Sequence, residues 1–273
     1  MFRKPFAALA LVAALLPAAA SAQTVDEIIA KHFEAQGGIA KLQKLQTVRM
    51  VGKMQMGPGM EAPFTMEKKR PGKSRITFTF SGMDGVRAFD GKTGWQVMPF
   101  MSGKKDAEPM SPEDTKDMEE QADFDGPLMN AKDKGNTLEL AGKEAVDGAD
   151  AYKVKLTHKD GKVDWYFFDA ETYLLVKQEM KRKVRGTEME FETFPSDYKE
   201  VGDGLLMPFS ISQGAKGNDH RQAMTFDKIE VDVPLDDAIF VMPAPAGGAA
   251  PDAKAAPAKD AKPAAKTEPK KDK

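Results

Sequence analysis

The hydrophobic positions of the chain follow a helical period near the start and then a period of two over most of the remaining length. Residues 24–36 place Ile28, Ile29 and Phe33 on one helical face, behind a Thr-x-x-Glu pattern typical of a capping box. From Thr47 onward, short apolar–polar alternations are separated by turns rich in Gly, Pro and Asp. The pattern predicts a mostly β domain that begins with a helix.

About eleven short strands are predicted, all connected locally in meander order. Residues 111–124, SPEDTKDMEEQADF, interrupt the series with a charged helix that has Ser111 at its N-cap and Pro112 at its first position. The apolar face of this helix is small, so we expect it to lie over the sheet as a cover. The predicted class is therefore α+β, mostly β, in one domain with helices at two points.

Large apolar residues that alternate along the predicted strands form the candidate site. They are Met50, Met54, Met56, Phe64, Met66, Ile76, Phe78, Phe80, Trp95, Val97, Trp165 and Phe167. That these side chains share the inward face is assumed from alternation alone, strand by strand. The chain has 17 methionines, a flexible and polarisable residue that suits surfaces fitting variable apolar partners. The alternative is that methionines and aromatics fill an irregular core.

The stretch DWYFFDAETYLLVKQEM, residues 164–180, is a predicted hairpin with apolar residues on both faces. Trp165 and Phe167 project to one side, whereas Tyr166 and Phe168 project to the other. An ordinary antiparallel strand gives one face to water. We therefore expect both sides of this hairpin to be covered.

The two ends of the chain differ from the body. Residues 1–22 have a basic start, an apolar run and an Ala-Ser-Ala sequence, which is typical of a cleaved signal peptide. Residues 244–273 contain almost only Ala, Pro, Lys and Asp and are predicted to be a disordered tail. The expected folded domain is 23–243, exported to the periplasm as a soluble, unlipidated protein because no cysteine follows the signal.

Composition argues against several classes of function. The net charge is only −2 with mixed signs, which argues against a nucleic-acid binder. Three histidines and no cysteine leave few soft metal ligands, and the chain has no HExxH, GxSxG, Walker-loop or GxGxxG pattern. We predict no catalytic residues, no metal and no cofactor.

The body of the chain resembles the outer membrane lipoprotein-sorting, or LolA-like, proteins of Gram-negative bacteria. The stretches that carry the resemblance include HFEAQGGIAKLQKLQTVRMVGKM, KRPGKSRITF, AFDGKTGWQVMPF, QADFDGPL and VDVPLDDAIFVMPAP. Together they extend over almost the whole domain.

The resemblance implies a half-open, strongly curved antiparallel β-barrel whose concave side is closed by a helical lid. In carriers of this family the concavity receives acyl chains of lipoproteins, and an arginine there helps to hold the lid. Arg49, Arg75 and Arg87 are the strand candidates for that arginine. The implied protein is a monomer that binds acyl chains of lipoproteins or other lipids, and inner- or outer-membrane transport components are left open as further partners.

Two classes of function stand at this point. The first is a periplasmic carrier or binder of acylated lipoproteins or lipids. The second is a non-catalytic envelope sensor or regulatory interaction domain on the same fold. A hollow able to take acyl chains favours the first, whereas a collapsed interior with an exposed apolar sheet edge favours the second.

Overall fold

The computed structural model describes residues 23–244 except for 58, 185 and 219. The predicted signal sequence and all but the first residue of the predicted tail therefore lie outside the described residues. In the described part, 13 strands form one open antiparallel sheet with a strong curvature and a few helices. The predicted fold class is confirmed, with more strands than the eleven expected. One additional strand has two residues, which is too short for an alternation to reveal.

The elements follow one another along the chain as the sequence patterns suggested. The helices are α1 (Val25–Ala35), α2 (Ile39–Lys44), α3 (Pro99–Ser102) and α4 (Pro112–Ala122), and a 3-10 turn covers Asp237–Ile239. The strands are β1 (Thr47–Gly57), β2 (Met60–Lys69), β3 (Lys73–Phe80), β4 (Met83–Phe89), β5 (Gly94–Val97), β6 (Glu108–Pro109), β7 (Thr137–Val146), β8 (Ala149–Thr157), β9 (Val163–Asp169), β10 (Leu175–Val184), β11 (Thr187–Glu200), β12 (Leu206–Ala215) and β13 (Gln222–Val231).

The sheet consists of two meanders, β1–β6 and β7–β13, that join where β1 pairs with β13. We call this β1–β13 pairing the seam. The edges of the sheet are β6 and β7, so the connection between them spans the opening of the half-barrel. At the seam, a Cβ on Gly52 would lie 2.0 Å from the Thr225 carbonyl oxygen. Only glycine fits there, beside a register shift between Val51 and Gly52.

We call the face of the sheet on which the helices pack the inner face and the opposite one the outer face. Helix α1 covers the inner face of β8 and β9. Thr24 and Glu27 form the predicted capping box at its start. Its buried apolar residues pack in one cluster with inner-face residues of the two strands. The cluster contains Ile28, Ile29, Phe33, Leu128, Met129, Val154, Leu156, Tyr166 and Phe168.

The outer face is covered by lysine side chains and by the C-terminal segment. Lys153 lies over the rings of both Trp165 and Phe167, at 4.8 and 5.2 Å from the centroids, and Lys177 lies 5.0 Å over Phe167. In both lysines the amine itself lies over the ring, and this cation–π contact shields the aromatic surface from water. The hairpin of residues 164–180 thus has both faces covered, one by α1 and one by lysines, as expected.

Strands β2–β5 are covered on the outer face by residues 232–240. Trp95 donates its Nε1 hydrogen to the Phe240 carbonyl oxygen at 2.7 Å, and the Phe240 side chain is fully buried. Lys69 and Lys73 both contact the Asp237 carboxylate, at 2.8 and 3.0 Å, and they lower the pKa of that carboxyl. The apolar anchor and the ion pairs together hold the end of the domain on the sheet.

Within the described residues, no helix is both long enough and apolar enough to pass through a bilayer.

His32 of α1 links the stability of the fold to pH, because its side chain is buried between the helix and the sheet. Its ring lies 4.6 Å from the Phe168 ring, and its Nδ1 lies 3.0 Å from the Tyr173 carbonyl oxygen. Burial lowers the pKa of His32 from 6.5 to about 4, so the neutral ring is the folded form at pH 7. Below pH 6.5 the unfolded chain binds a proton at His32 that the folded protein does not bind. The contribution of the neutral His32 to the free energy of unfolding is therefore complete above pH 6.5 and is lost as the pH falls from 6.5 towards 4.

We predict that lowering the pH from 7.5 to 5 costs the wild-type protein about 2 kcal/mol more unfolding free energy than it costs His32→Gln. Glutamine retains a donor for the Tyr173 carbonyl but does not titrate. Urea denaturation of both proteins at the two pH values measures the difference. Equal losses in the two proteins would contradict a neutral, buried His32.

Candidate functional site

Part of the inner face lacks full cover, over β1–β3 and β12–β13. Its apolar side chains are half-buried and surround a buried cluster that includes Val48, Met54, Phe64 and Phe226. We call this region the inner hollow. It is lined by Met50, Met56, Met66, Ile76, Phe80, Met207, Phe209, Ile211 and Met224. Flexible methionines and partly exposed aromatics give the hollow an adaptable apolar surface.

Eight of the twelve predicted site residues share the inner face. Cross-strand pairing places them side by side in successive rows, for example Met50 opposite Met66 and Met66 opposite Ile76. The eight are Met50, Met54, Met56, Phe64, Met66, Ile76, Phe78 and Phe80. The structure thus brings together the part of the predicted site that comes from β1–β3.

The other four, Trp95, Val97, Trp165 and Phe167, lie on the outer face, so their placement in the concavity was wrong. Trp95 continues a row of outer-face residues through Ala88. In β9 the inward residues are Tyr166 and Phe168 instead. Alternation gives the period of a strand but not the direction in which each set points, and both sets are apolar here.

Four lining residues from the second meander were not predicted: Met207, Phe209, Ile211 and Met224. The signal was present in the sequence, because Met207, Phe209 and Ile211 alternate with Pro208 and Ser210. Ile211 pairs with Met224, which in turn pairs with Met54 across the seam. The seam therefore makes one continuous surface from the two meanders.

Helices mark the borders of the inner hollow. Over β8 and β9, α1 fills the inner face, so the hollow does not extend there. Helix α4 packs on β3–β5, with Met118 and Ala122 buried against Phe89 and Met110. The contact is close, since a Cβ on Gly94 would lie 2.9 Å from the Thr115 hydroxyl. The helix predicted to be a cover thus lies on the inner face.

Helix α3 covers the C-terminal end of β3. The Phe100 ring lies 5.6 Å from the Phe78 ring and 5.7 Å from the Phe80 ring, in edge-on geometry. This aromatic cluster closes the hollow opposite the end that α4 covers.

The three candidate arginines separate by face. Arg49 and Arg75 lie on the outer face, where each contacts the buried Glu67 carboxylate at 3.1 Å. Arg87 lies on the inner face and approaches Asp114 of α4 at 3.7 Å. Arg87 is therefore the candidate that connects the sheet with the covering helix.

Two cavities lie away from the hollow. One of about 780 Å³ is a wide, open depression lined by Gln46, Thr47, Lys69 and residues 232–236. The other, of about 210 Å³, is lined chiefly by outer-face residues such as Trp165, Glu179 and Lys216. Within the described residues, no three His, Asp or Glu side chains are grouped to hold a metal ion.

No family model and no curated protein matches the chain. Three solved structures share its architecture. A LolA superfamily protein from Nitrosomonas europaea is 16% identical with a TM-score of 0.53 over 81% of this chain and 98% of that one. A DUF1329 family protein from Desulfovibrio piger is 15% identical with a TM-score of 0.55 over 80% and 97%.

The third is a putative outer membrane lipoprotein-sorting protein domain from Vibrio parahaemolyticus, 10% identical, with a TM-score of 0.50 over 78% and 97%. This chain has a LolA-like fold. Identities this low establish the fold alone, so the function has to be argued from the hollow itself.

Arg70, which was not among the three arginines predicted from the sequence, fixes the connection after α4 in this LolA-like domain. Arg70 forms a bidentate pair with Asp125 and donates to the carbonyl oxygens of Leu42 and Leu45, at 3.3 and 2.6 Å. Its guanidinium also lies 4.6 Å over the Phe124 ring. The pair lowers the pKa of Asp125. Arg70 follows the last residue of β2, where no alternation distinguishes it from its basic neighbours.

We predict that Arg70→Lys lowers the free energy of unfolding by about 2 kcal/mol, because one ammonium cannot replace a fork that binds a carboxylate and two carbonyls. Urea denaturation measures the loss. Arg49→Lys is the matched control and should cost less than about 1 kcal/mol, since Arg49 makes a single, partly exposed contact. If the two substitutions lowered the free energy of unfolding equally, the contacts of Arg70 with Asp125, Leu42 and Leu45 would not have the stabilising role that we assign to them.

Proposed function

We propose that this protein binds acyl chains of lipoproteins or other lipids in the inner hollow and acts as a non-catalytic carrier in the periplasm. The observation that carries the proposal is the group of half-buried methionine and aromatic side chains on the inner face of β1–β3 and β12–β13. A core that only served stability would bury these side chains more fully. Their partial exposure leaves apolar area for a ligand to cover.

Acyl burial supplies enough free energy for carriage. Each covered methylene contributes about 0.8 kcal/mol, so a long chain gains roughly 10 kcal/mol before the costs of association. The methionines of the hollow can adopt several rotamers, which suits chains of varied length and unsaturation. A carrier also has to release its ligand, which requires that the empty hollow be partly closed by its own residues.

Helix α4 and Phe100 of α3 supply that closure. The polar contact between α4 and the sheet is weak, because the Arg87–Asp114 pair is 3.7 Å long and Asp114 is about half exposed. Exposed pairs of this kind contribute about 0.2–1 kcal/mol. An acyl chain that enters beneath α4 displaces Met118 and Ala122 from Phe89 and Met110 and replaces the apolar contacts they lose.

Three further observations favour a carrier in the envelope. The LolA-like fold is shared with a protein described as a putative lipoprotein-sorting domain, which supports the proposal at the level of fold. The first 22 residues have the composition of a signal peptide, which supports export. The long edge strand β7 exposes Glu139, Lys143 and Glu144, so this edge lacks the apolar character expected for a regulatory protein-binding edge.

We predict that the mature protein binds a fluorescent fatty acid that unlabelled fatty acid displaces, and that Met224→Gln weakens binding about fivefold or more. Glutamine has a similar shape but makes the hollow polar at the seam. Thr225→Gln is the matched control, because Thr225 is the next residue on β13 and points outward. Fluorescence titration measures both dissociation constants.

Two results would sink the proposal. One is the absence of displaceable fatty acid together with no lipid on the purified native protein by mass spectrometry. The other is equal weakening by Met224→Gln and Thr225→Gln, because binding would then not depend on the inner face.

We predict that Asp114→Lys increases the association rate of the fluorescent fatty acid about two- to fivefold, because it replaces attraction to Arg87 by repulsion and favours an open cover. Stopped-flow fluorescence measures the rate. Glu113→Lys is the matched control: it makes the same charge change in the first turn of α4. A rate that is unchanged by Asp114→Lys, or raised equally by Glu113→Lys, would rule out a cover held by Arg87.

A further inference from the structure

The polar side chains of Lys68 and Ser74 interrupt the apolar inner face next to the inner hollow. One cross-strand row runs from Val48 on β1 through Lys68 on β2 and Ser74 on β3 to Phe89 on β4. Val48, Ser74 and Phe89 are all buried. Lys68 and Ser74 are directly opposite each other, which places their Cβ atoms about 5 Å apart. A cation and a hydroxyl thus stand side by side in apolar surroundings.

Ser74 has no partner for its hydroxyl. The residue is 5% exposed, and its Oγ is buried without a hydrogen bond in the described structure. A buried hydroxyl of this kind is a destabilising feature unless something else satisfies it. Because serine offers both a donor and acceptors, it can hydrogen-bond to an anionic oxygen.

Lys68 lacks a counter-ion in contact. Among the described residues, no carboxylate lies within 4.0 Å of its amine, and the Coulombic influence on it comes from Asp123. The Asp123 carboxylate is already bound by Lys134 at 2.8 Å. Burial lowers the pKa of Lys68, so the surroundings penalise the charged amine until an anion compensates it.

A second cation lies diagonally across from Ser74. Arg87 pairs with Ile76, two residues beyond Ser74 along β3, which places it about 7–8 Å from Ser74. The Arg87 Nε is also buried without a hydrogen-bond partner. The corner beneath α4 therefore holds two cations and a hydroxyl with unused hydrogen-bonding capacity.

We propose that Lys68 and Ser74 form a subsite for the anionic head group, carboxylate or phosphate, of an amphiphile whose acyl chain lies in the inner hollow. The inference rests on the proposed function and adds the ligand class, an acidic lipid. From Lys68 the inner face of β2 passes Met66 and Phe64 to Ala62, a distance of about 20 Å. The head group is thus held at the corner under α4, and the chain extends along the strand towards Met54 and Met224.

The test compares three ligands with the same chain and different head groups: dodecanoate, dodecyl phosphate and dodecanol, each below its micelle concentration. Displacement of a fluorescent fatty acid gives their dissociation constants. We expect the wild-type protein to bind one or both anionic ligands at least tenfold more tightly than dodecanol. The anionic ligand with the larger preference identifies the source of the head group as carboxylate or phosphate.

Variants separate the charge of Lys68 from its packing. Lys68→Met keeps the length of the side chain and should reduce the preference for anions to less than threefold, with dodecanol affinity within twofold of wild type. Lys68→Arg should restore the preference, and Ser74→Ala should reduce it partially. Lys53→Met is the matched control, because Lys53 lies on the outer face and is half exposed.

Different outcomes distinguish this inference from the function on which it rests. Equal affinity of the wild-type protein for all three ligands overturns the subsite but leaves acyl binding intact. Anion preference that survives Lys68→Met, or is lost equally in Lys53→Met, also overturns the subsite. Failure of all three ligands to bind overturns the acyl-binding proposal and the subsite with it.

Discussion

The requirement that shapes this molecule is the cover of one curved sheet whose two faces both carry large apolar side chains. Water is tolerated on one face of an ordinary antiparallel sheet. Here the outer face is polar at Arg49, Lys53 and Glu67 but carries large aromatic side chains on β5 and β9, which need cover as well. On the outer face the cover comes from lysine amines over Trp165 and Phe167 and from the segment that ends at Phe240. On the inner face α1 fills the area over β8 and β9, and α3 and α4 cover only part of β3–β5. The inner hollow is the area that these elements leave.

The connection from β6 to β7 is fixed unevenly along its length. After α4, Arg70 holds Asp125 through a bidentate pair and also binds two carbonyl oxygens of the α2 region. At the start of α4, Asp114 reaches Arg87 only through a long, partly exposed contact. Charge-assisted bidentate pairs are much stronger than exposed single contacts. The C-terminal end of α4 is thus held by stronger polar contacts than its N-terminal end.

The sequence predicted the helices and strands better than it predicted which face of the sheet their side chains occupy. The capping box of α1 and the N-cap of α4 were readable because local hydrogen bonds define them. The strands were readable from their period, and β1–β3 were assigned to the correct face since Arg49, Lys53 and Glu67 mark the outer side. In β9 both sets of side chains are apolar, so no polar residue marked the outer side and the assignment of Trp165 and Phe167 was wrong.

The remaining misses depend on contacts between distant parts of the chain. Trp95 is buried on the outer face because residues 232–240 return to cover it. The sequence around Trp95 gives no indication of this distant contact. Met224 belongs to the hollow because β13 pairs with β1. Arg70 acts through partners on α2 and after α4, which a local pattern cannot reveal. Long-range pairing therefore decided which apolar and charged residues form the candidate site.

The seam has a consequence for how the domain is made. Its partners, such as Val48 and Val231, come from opposite ends of the folded region, so it forms only after nearly the whole domain has been synthesised. Until then the two meanders are separate half-sheets, in which β1 and β13 lack their partner strand and apolar side chains are exposed. Such late, non-local closure slows folding and leaves edges on which chains can aggregate. A chaperone that binds the unfolded chain would protect it from aggregation until β13 has paired with β1.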